Sequence, residues 1–188
     1  PSITQSQFRN VSITTAHNAK KDEINQLGSN RFAAETMQWL THFVSHDTIA
    51  HDEPNDIDYK RHLKAPYKAT KKRKDLPPLV QQALWAQPPC ANTKLIPGCL
   101  SCCIDMPILI RANSATELCI TKGQEAVVHS WDYSETANRN KILDTLLVRL
   151  IHPPTAVQLD GLPPNVVPLI KTTVTTCCRL PDDSNIMV

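Results

Sequence analysis

Glycine is scarce in this sequence: four residues, at positions 28, 98, 123 and 161, against fifteen prolines in a chain of 188. A phosphate-cradling loop of the form G-x-x-x-x-G-K-[ST] cannot be assembled from those four at any spacing. Asp22-Glu23 does not supply the metal half of such a site either, because it lies on a polar helical pattern and not at the end of an apolar strand. The chain alone is therefore not expected to hydrolyse a nucleoside triphosphate. Long apolar runs are missing as well: no window approaches 18 consecutive apolar residues, and residues 1–10 carry neither a basic nor an apolar leader pattern. The expectation is a soluble, non-secreted chain with no membrane partner. Few glycines and many prolines point to extended, loop-rich connections and β-structure, not to a helical bundle.

Seven cysteines are present, at 90, 99, 102, 103, 119, 177 and 178. An odd number with two adjacent pairs does not suit a disulfide framework, so a reducing compartment fits. Cys99-x-x-Cys102-Cys103 with Cys177-Cys178 could be drawn together as a four-thiolate zinc site. Cys102, Cys103 and Cys119 lie on apolar runs, however, where free cysteine acts as a small hydrophobe, and that reading is preferred. The net charge of +2 hides an asymmetry: residues 1–58 carry −4, residues 59–76 carry +7, and residues 77–188 carry −1. The block YKRHLKAPYKATKKRKD, residues 59–75, interleaves Tyr59 and Tyr67 with eight cations. Such a segment can follow a phosphate backbone while its rings stack on bases, or it can be a solvated loop or a nuclear-import signal at Lys71, Lys72, Arg73 and Lys74.

Along the chain, residues 11–15 alternate apolar and hydroxyl side chains and read as a strand. Asn18 is a plausible helix N-cap, and the pattern over residues 19–27 predicts a helix stopped at Gly28. Residues 32–43 suit a second helix, or a helix leading into a short strand. Residues 46–58, acidic and histidine-rich, and the basic block read as a long exposed connection, with a domain boundary there. His42, His46, His51 and His62 are expected to be exposed, and no Cys/His pairing recommends a hydrolase. A brief helix opens near Pro78 and ends near Gln87. Strands are predicted over residues 100–104, 108–111, 125–131, 143–151 and 166–178, which together indicate a small antiparallel sheet or barrel.

Three phrases carry a family resemblance. NSATELCITKGQEAVV (residues 113–128) follows the strand at 107–111 and is similar to the Pif-family ATP-dependent DNA helicases, especially versions found beside fungal transposable elements. FRNVSITTAHNAKKDEINQLGSNRF (residues 8–32) resembles the strand and helix that open the second RecA-like motor domain of that family. LDTLLVRL and GLPPNVVPL (residues 143–150 and 161–169) resemble the SH3-like subdomain inserted in the same motor. The sequence departs from the family where Pro-Gly-Lys and Gly-Met-Pro are expected, with Pro97-Gly98-Cys99 and Asp105-Met106-Pro107. The first change removes a possible phosphate contact, and the second restricts a turn.

The resemblance implies an α/β plus β architecture: a partial RecA-like segment over residues 1–58, a basic linker over 59–75, and an SH3-like antiparallel β subdomain over 76–188. It implies ATP and magnesium for the full-length parent, and no cofactor or small-molecule substrate for this chain. The parent would be a helicase of genome maintenance, repair or recombination, or of a transposable element, located in the nucleus or alternatively the cytoplasm. Its partners would be single-stranded DNA and the missing motor halves or another chain. Asn18 matches a family position at the motor's DNA-facing edge. Arg111 and Lys122 flank the candidate hairpin on the subdomain that faces the emerging strand. Lys71, Lys72, Arg73 and Lys74 complete the expected DNA-binding set. The alternative function is a transposon-helicase relic with only charge-driven attraction to polyanions.

Overall fold

A computed structural model of the chain describes residues 15–50, 73–180 and 185–188. Helix α1 (Asn18–Glu35) leads into β1 (Thr41–Val44) and β2 (Thr48–Ala50). After β3 (Arg73–Asp75) and α2 (Pro78–Ala86) come β4 (Cys99–Cys102), β5 (Pro107–Leu109), β6 (Glu125–Glu135), β7 (Lys141–Leu150), β8 (Val166–Ile170), β9 (Cys177–Arg179) and β10 (Asn185–Met187). The architecture is mixed and mostly β. Every strand pair among the described residues is antiparallel, so the parallel layer typical of a RecA-like unit is not found among them. Residues 11–14 of the expected first strand lie outside the described residues, and Thr15 is not in a strand.

The expected helix stop at Gly28 is corrected: α1 runs through it. A glycine inside a helix weakens it by about 1 kcal/mol but does not end it. The helix ends where Met37 adopts φ 54°, with Met37 N–H donating to the Ala34 carbonyl at 3.2 Å and Gln38 N–H to the Ala33 carbonyl at 2.9 Å. That is the paired closure a glycine usually supplies, here made by methionine. Its N-terminus is corrected too, since His17 occupies the cap position and Asn18 is the first helical residue. The alternative of a helix leading into a strand over residues 32–43 matches α1 and β1.

The sheet order is β5-β6-β7-β8. Ala126 and Val128 of β6 pair with Leu150 and Val148 of β7, and all four side chains are buried. A bulge between Val128 and Ser130 then adds one residue to β6. Because side chains alternate with period two, one extra residue turns the following odd positions inward. Trp131 and the more exposed Tyr133 thereby meet Phe43 of β1, at ring-centroid separations of 5.6 and 6.2 Å. The predicted strand over 166–178 is divided: β8 ends at Ile170, where Lys171 N–H donates to the Asp144 carbonyl at 3.0 Å, and β9 starts only at Cys177.

Within the stretch expected as open connection, Thr48, Ile49 and Ala50 instead pair with Asp75, Lys74 and Arg73, while residues 51–72 of that stretch lie outside the described residues. Across the expected boundary, β1 pairs with β4, and Ala33 and Phe43 share one buried cluster with Cys102, Val128, Val148 and Val167. A smaller cluster gathers Leu76, Leu84 and Cys178.

Between β4 and β5, Met106 N–H donates to the Cys103 carbonyl at 3.3 Å, closing a turn whose third residue is Asp105 at φ 59°. A positive φ at that place is what glycine supplies most easily, and here an aspartate adopts it. Asp105 also faces Arg149 at 3.8 Å, an exposed pair of little worth. Asp105→Gly is expected to raise stability by about 0.5 kcal/mol through relief of the left-handed conformation. An unchanged or lower urea midpoint would remove that explanation of the turn.

Candidate nucleic-acid interface

At the loop end of β5 and β6 the chain crosses itself closely. Ile110 N–H donates to the Gln124 carbonyl at 2.9 Å, and Gly123 N–H to the Ile110 carbonyl at 2.8 Å. Gly123 stands at φ 92°, so the expected conformational need for glycine is met. The connection is not a tight hairpin, though. Residues between the strands fold into a small loop of their own, with a 3-10 turn at Thr116–Leu118 and an Ala115 to Ile120 bridge.

This crossing brings together two of the expected site residues. Arg111 follows Ile110 directly, and Lys122 precedes Gly123. Lys122 N–H donates to Asn113 Oδ1 at 2.7 Å, which fixes its backbone two residues from Arg111. Both side chains are exposed. The Arg111 guanidinium donates to the carbonyls of Lys94, at 2.7 Å, and Leu95. Neutral carbonyls leave its charge uncompensated. Among the described residues, neither Arg111 nor Lys122 pairs with a carboxylate. Lys171, by contrast, is neutralised by Asp144. Its hydrogen bond, with Ser134 adding a second, holds the Asp144 carboxyl below its ordinary range.

Asn18 is exposed at the start of α1, and no contact joins it to Arg111 or Lys122. One turn further along, Asp22 accepts the Cys90 N–H at 3.0 Å, which sets the helix start against the 3-10 turn Pro89–Ala91 leading into residues 92–97. Arg73 and Lys74 lie in β3, a ribbon apart from the sheet, with backbones paired to Ala50 and Ile49. Lys71 and Lys72 lie outside the described residues.

Three of the seven thiols are held protonated by their surroundings. Burial, with the neighbouring Cys103 adding to it, pushes the Cys102 thiol up to about 11. Burial raises Cys103 as well, and raises Cys178 with help from the Asp47 charge. A protonated thiol is neither nucleophile nor metal ligand. Among the described residues, no group of three histidines, cysteines or carboxylates is placed to hold a metal.

A cleft of about 790 Å³ opens between β1, α2 and the segment that follows β8. Its charged groups are already engaged: Asp47 accepts from Ser45 Oγ at 2.8 Å and Gln81 Nε2 at 2.6 Å, and His46 meets Asp75 at 3.3 Å. The loop at residues 92–97, which Arg111 grips, went unnoticed in the sequence. Its signal was Asn92, a residue type that closes turns with its own side chain.

No family model, curated protein or solved structure matches this chain.

Proposed function

We propose that this chain is the nucleic-acid-contacting part of a Pif-family DNA helicase, supplying single-stranded DNA contacts without ATPase residues of its own. The observation that carries the reading is the pair of exposed, uncompensated cations, Arg111 and Lys122, at the crossing where β5 meets β6. Cations of this kind track phosphates without distinguishing bases, so sequence-independent binding is expected. The antiparallel sheet β5-β6-β7-β8 would serve as the SH3-like subdomain. The segment of α1 and β1 would be the margin of the motor. That margin buries only Ala33 along α1 and leaves Met37 and Trp39 over nine-tenths exposed, which suits a layer completed by the parent's missing motor elements.

Fluorescence anisotropy of a labelled single-stranded oligonucleotide tests the reading. Binding is expected at low salt, with log K falling against log salt by roughly 0.7 for each phosphate neutralised. It is expected to persist when Lys71, Lys72, Arg73 and Lys74 are changed to glutamine. Loss of all binding in that variant would instead support a relic whose only activity is charge attraction by the basic block. The left-handed Asp105, standing where the family carries glycine, is the observation on that side. No binding by the unaltered chain would overturn the proposed contact function.

A further inference from the structure

The loop of residues 92–97 is held in a conformation that its own sequence does not favour. Leu95 stands at φ 55°, a left-handed conformation that costs a residue with a side chain about 1 kcal/mol. Three attachments keep it there. Asn92 Oδ1 accepts the N–H groups of Lys94 at 3.2 Å and Ile96 at 3.0 Å, while its amide donates to the Ile96 carbonyl at 2.6 Å. The base of the loop is tied to the C-terminal segment, with Thr93 N–H donating to the Cys177 carbonyl at 3.1 Å and Thr176 Oγ1 to Asn92 Oδ1 at 3.3 Å. From the sheet, the Arg111 guanidinium grips the successive carbonyls of Lys94 and Leu95.

What this bracing presents to solvent is Lys94. Its side chain is exposed, and among the described residues it has no carboxylate partner. Its backbone lies against the Arg111 guanidinium, and the Lys122 backbone is bonded to Asn113, two residues from Arg111. Three cationic residues from separate parts of the chain are thus tied together through backbone contacts, and among the described residues none of them has a carboxylate partner. Like charges so placed repel, and the grouping becomes favourable when a polyanion joins it. Strained non-glycine backbone that several bonds over-determine is found at ligand sites more often than elsewhere.

We infer that Lys94 is a phosphate contact and Arg111 a positioning residue that presents it beside Lys122. The inference rests on the proposed nucleic-acid function and goes further, because it moves one contact from the residue the sequence suggested to a lysine on another loop. It also divides the roles by chemistry. A guanidinium can fork onto two adjacent carbonyls, and a lysine in its place cannot.

The test is a salt titration of binding to a labelled oligothymidylate by the unaltered chain, Lys94→Gln, Arg111→Lys and the double variant. Lys94→Gln is expected to fold normally and to flatten the slope of log K against log salt by about 0.7. Arg111→Lys preserves charge but loses the fork, so it is expected to weaken binding in the unaltered background and to add no loss in the Lys94→Gln background. Amide exchange at Ile96 should quicken in Arg111→Lys alone. If the unaltered chain binds but Lys94→Gln leaves the slope unchanged, or if the two substitutions add in full, the assignment is overturned while the interface at Arg111 and Lys122 stands. If the unaltered chain does not bind, both the interface and the assignment fall.

Discussion

Replacing Phe43 with alanine is expected to lower the unfolding free energy by about 3 to 5 kcal/mol, the range for removing a buried phenylalanine. Phe43 is 2% exposed and sits on β1, where it pairs with Leu100 of β4. Its ring meets Trp131 edge-on, at an interplanar angle of 73°, and Tyr133 at 54°. One side chain therefore joins the segment before residue 50 to the long hairpin of β6 and β7. If the two parts share one core, urea should remove the far-ultraviolet signal of the sheet and shift the tryptophan fluorescence in a single transition, and Phe43→Ala should move that whole transition. A stable chain that loses β1 first, with the sheet melting separately at its former midpoint, would show that the expected division near residue 58 is energetically real.

The substitution Gly98→Ala is expected to be nearly as damaging, at about 3 kcal/mol, the upper part of the range for overpacking a close contact. A Cβ at this position would lie 2.7 Å from the Leu84 carbonyl oxygen and 3.0 Å from Trp85 Cα. Both are backbone atoms of α2, so no side chain can rotate away. The contact matters because it seats α2 on β1: the Gly98 carbonyl accepts the Ser45 N–H at 2.9 Å, and the Ser45 carbonyl accepts Trp85 Nε1 at 3.0 Å. Gly28→Ala is the matched control. Its Cβ would meet nothing within 4 Å, and alanine is the better helix former by about 1 kcal/mol, so that variant should be more stable than the parent chain. Equal effects from the two substitutions, measured by thermal and urea unfolding, would refute the packing account of Gly98.

The proposed interface was partly legible because Lys122 stands directly before a glycine whose turn requirement is local, and Arg111 closes the preceding strand. Arg111, Lys122 and Gly123 could be placed near one another by noticing an apolar strand, a Lys-Gly pair and a second strand. What Arg111 does there was not legible. Its partners are the carbonyls of residues 16 and 17 positions earlier, and no local pattern specifies which backbone carbonyls a guanidinium will meet. Asn18 misled for a related reason: asparagine is a good cap, but the cap position fell to His17, whose side chain makes no capping bond. The basic block stood out by composition alone, which describes charge and says nothing of geometry.

The sequence by itself determined the features whose causes lie within a few residues. These are the absence of a phosphate-binding loop, the positive φ at Gly123, the proline start of α2, and the approximate places of the strands from β4 to β8, each a short apolar run between polar turns. Tertiary structure decided what depends on groups distant in the chain. The bulge after Val128 brings Trp131 and Tyr133 to Phe43, a contact made across the chain from β1 to β6. Met37 can close α1 in place of a glycine because Gln38 also donates to the Ile104 carbonyl at 3.0 Å, a bond across 66 residues. The loop that carries Lys94 holds its left-handed leucine because Asn92, Arg111 and Thr176 converge on it, and that convergence exists only once the chain has folded.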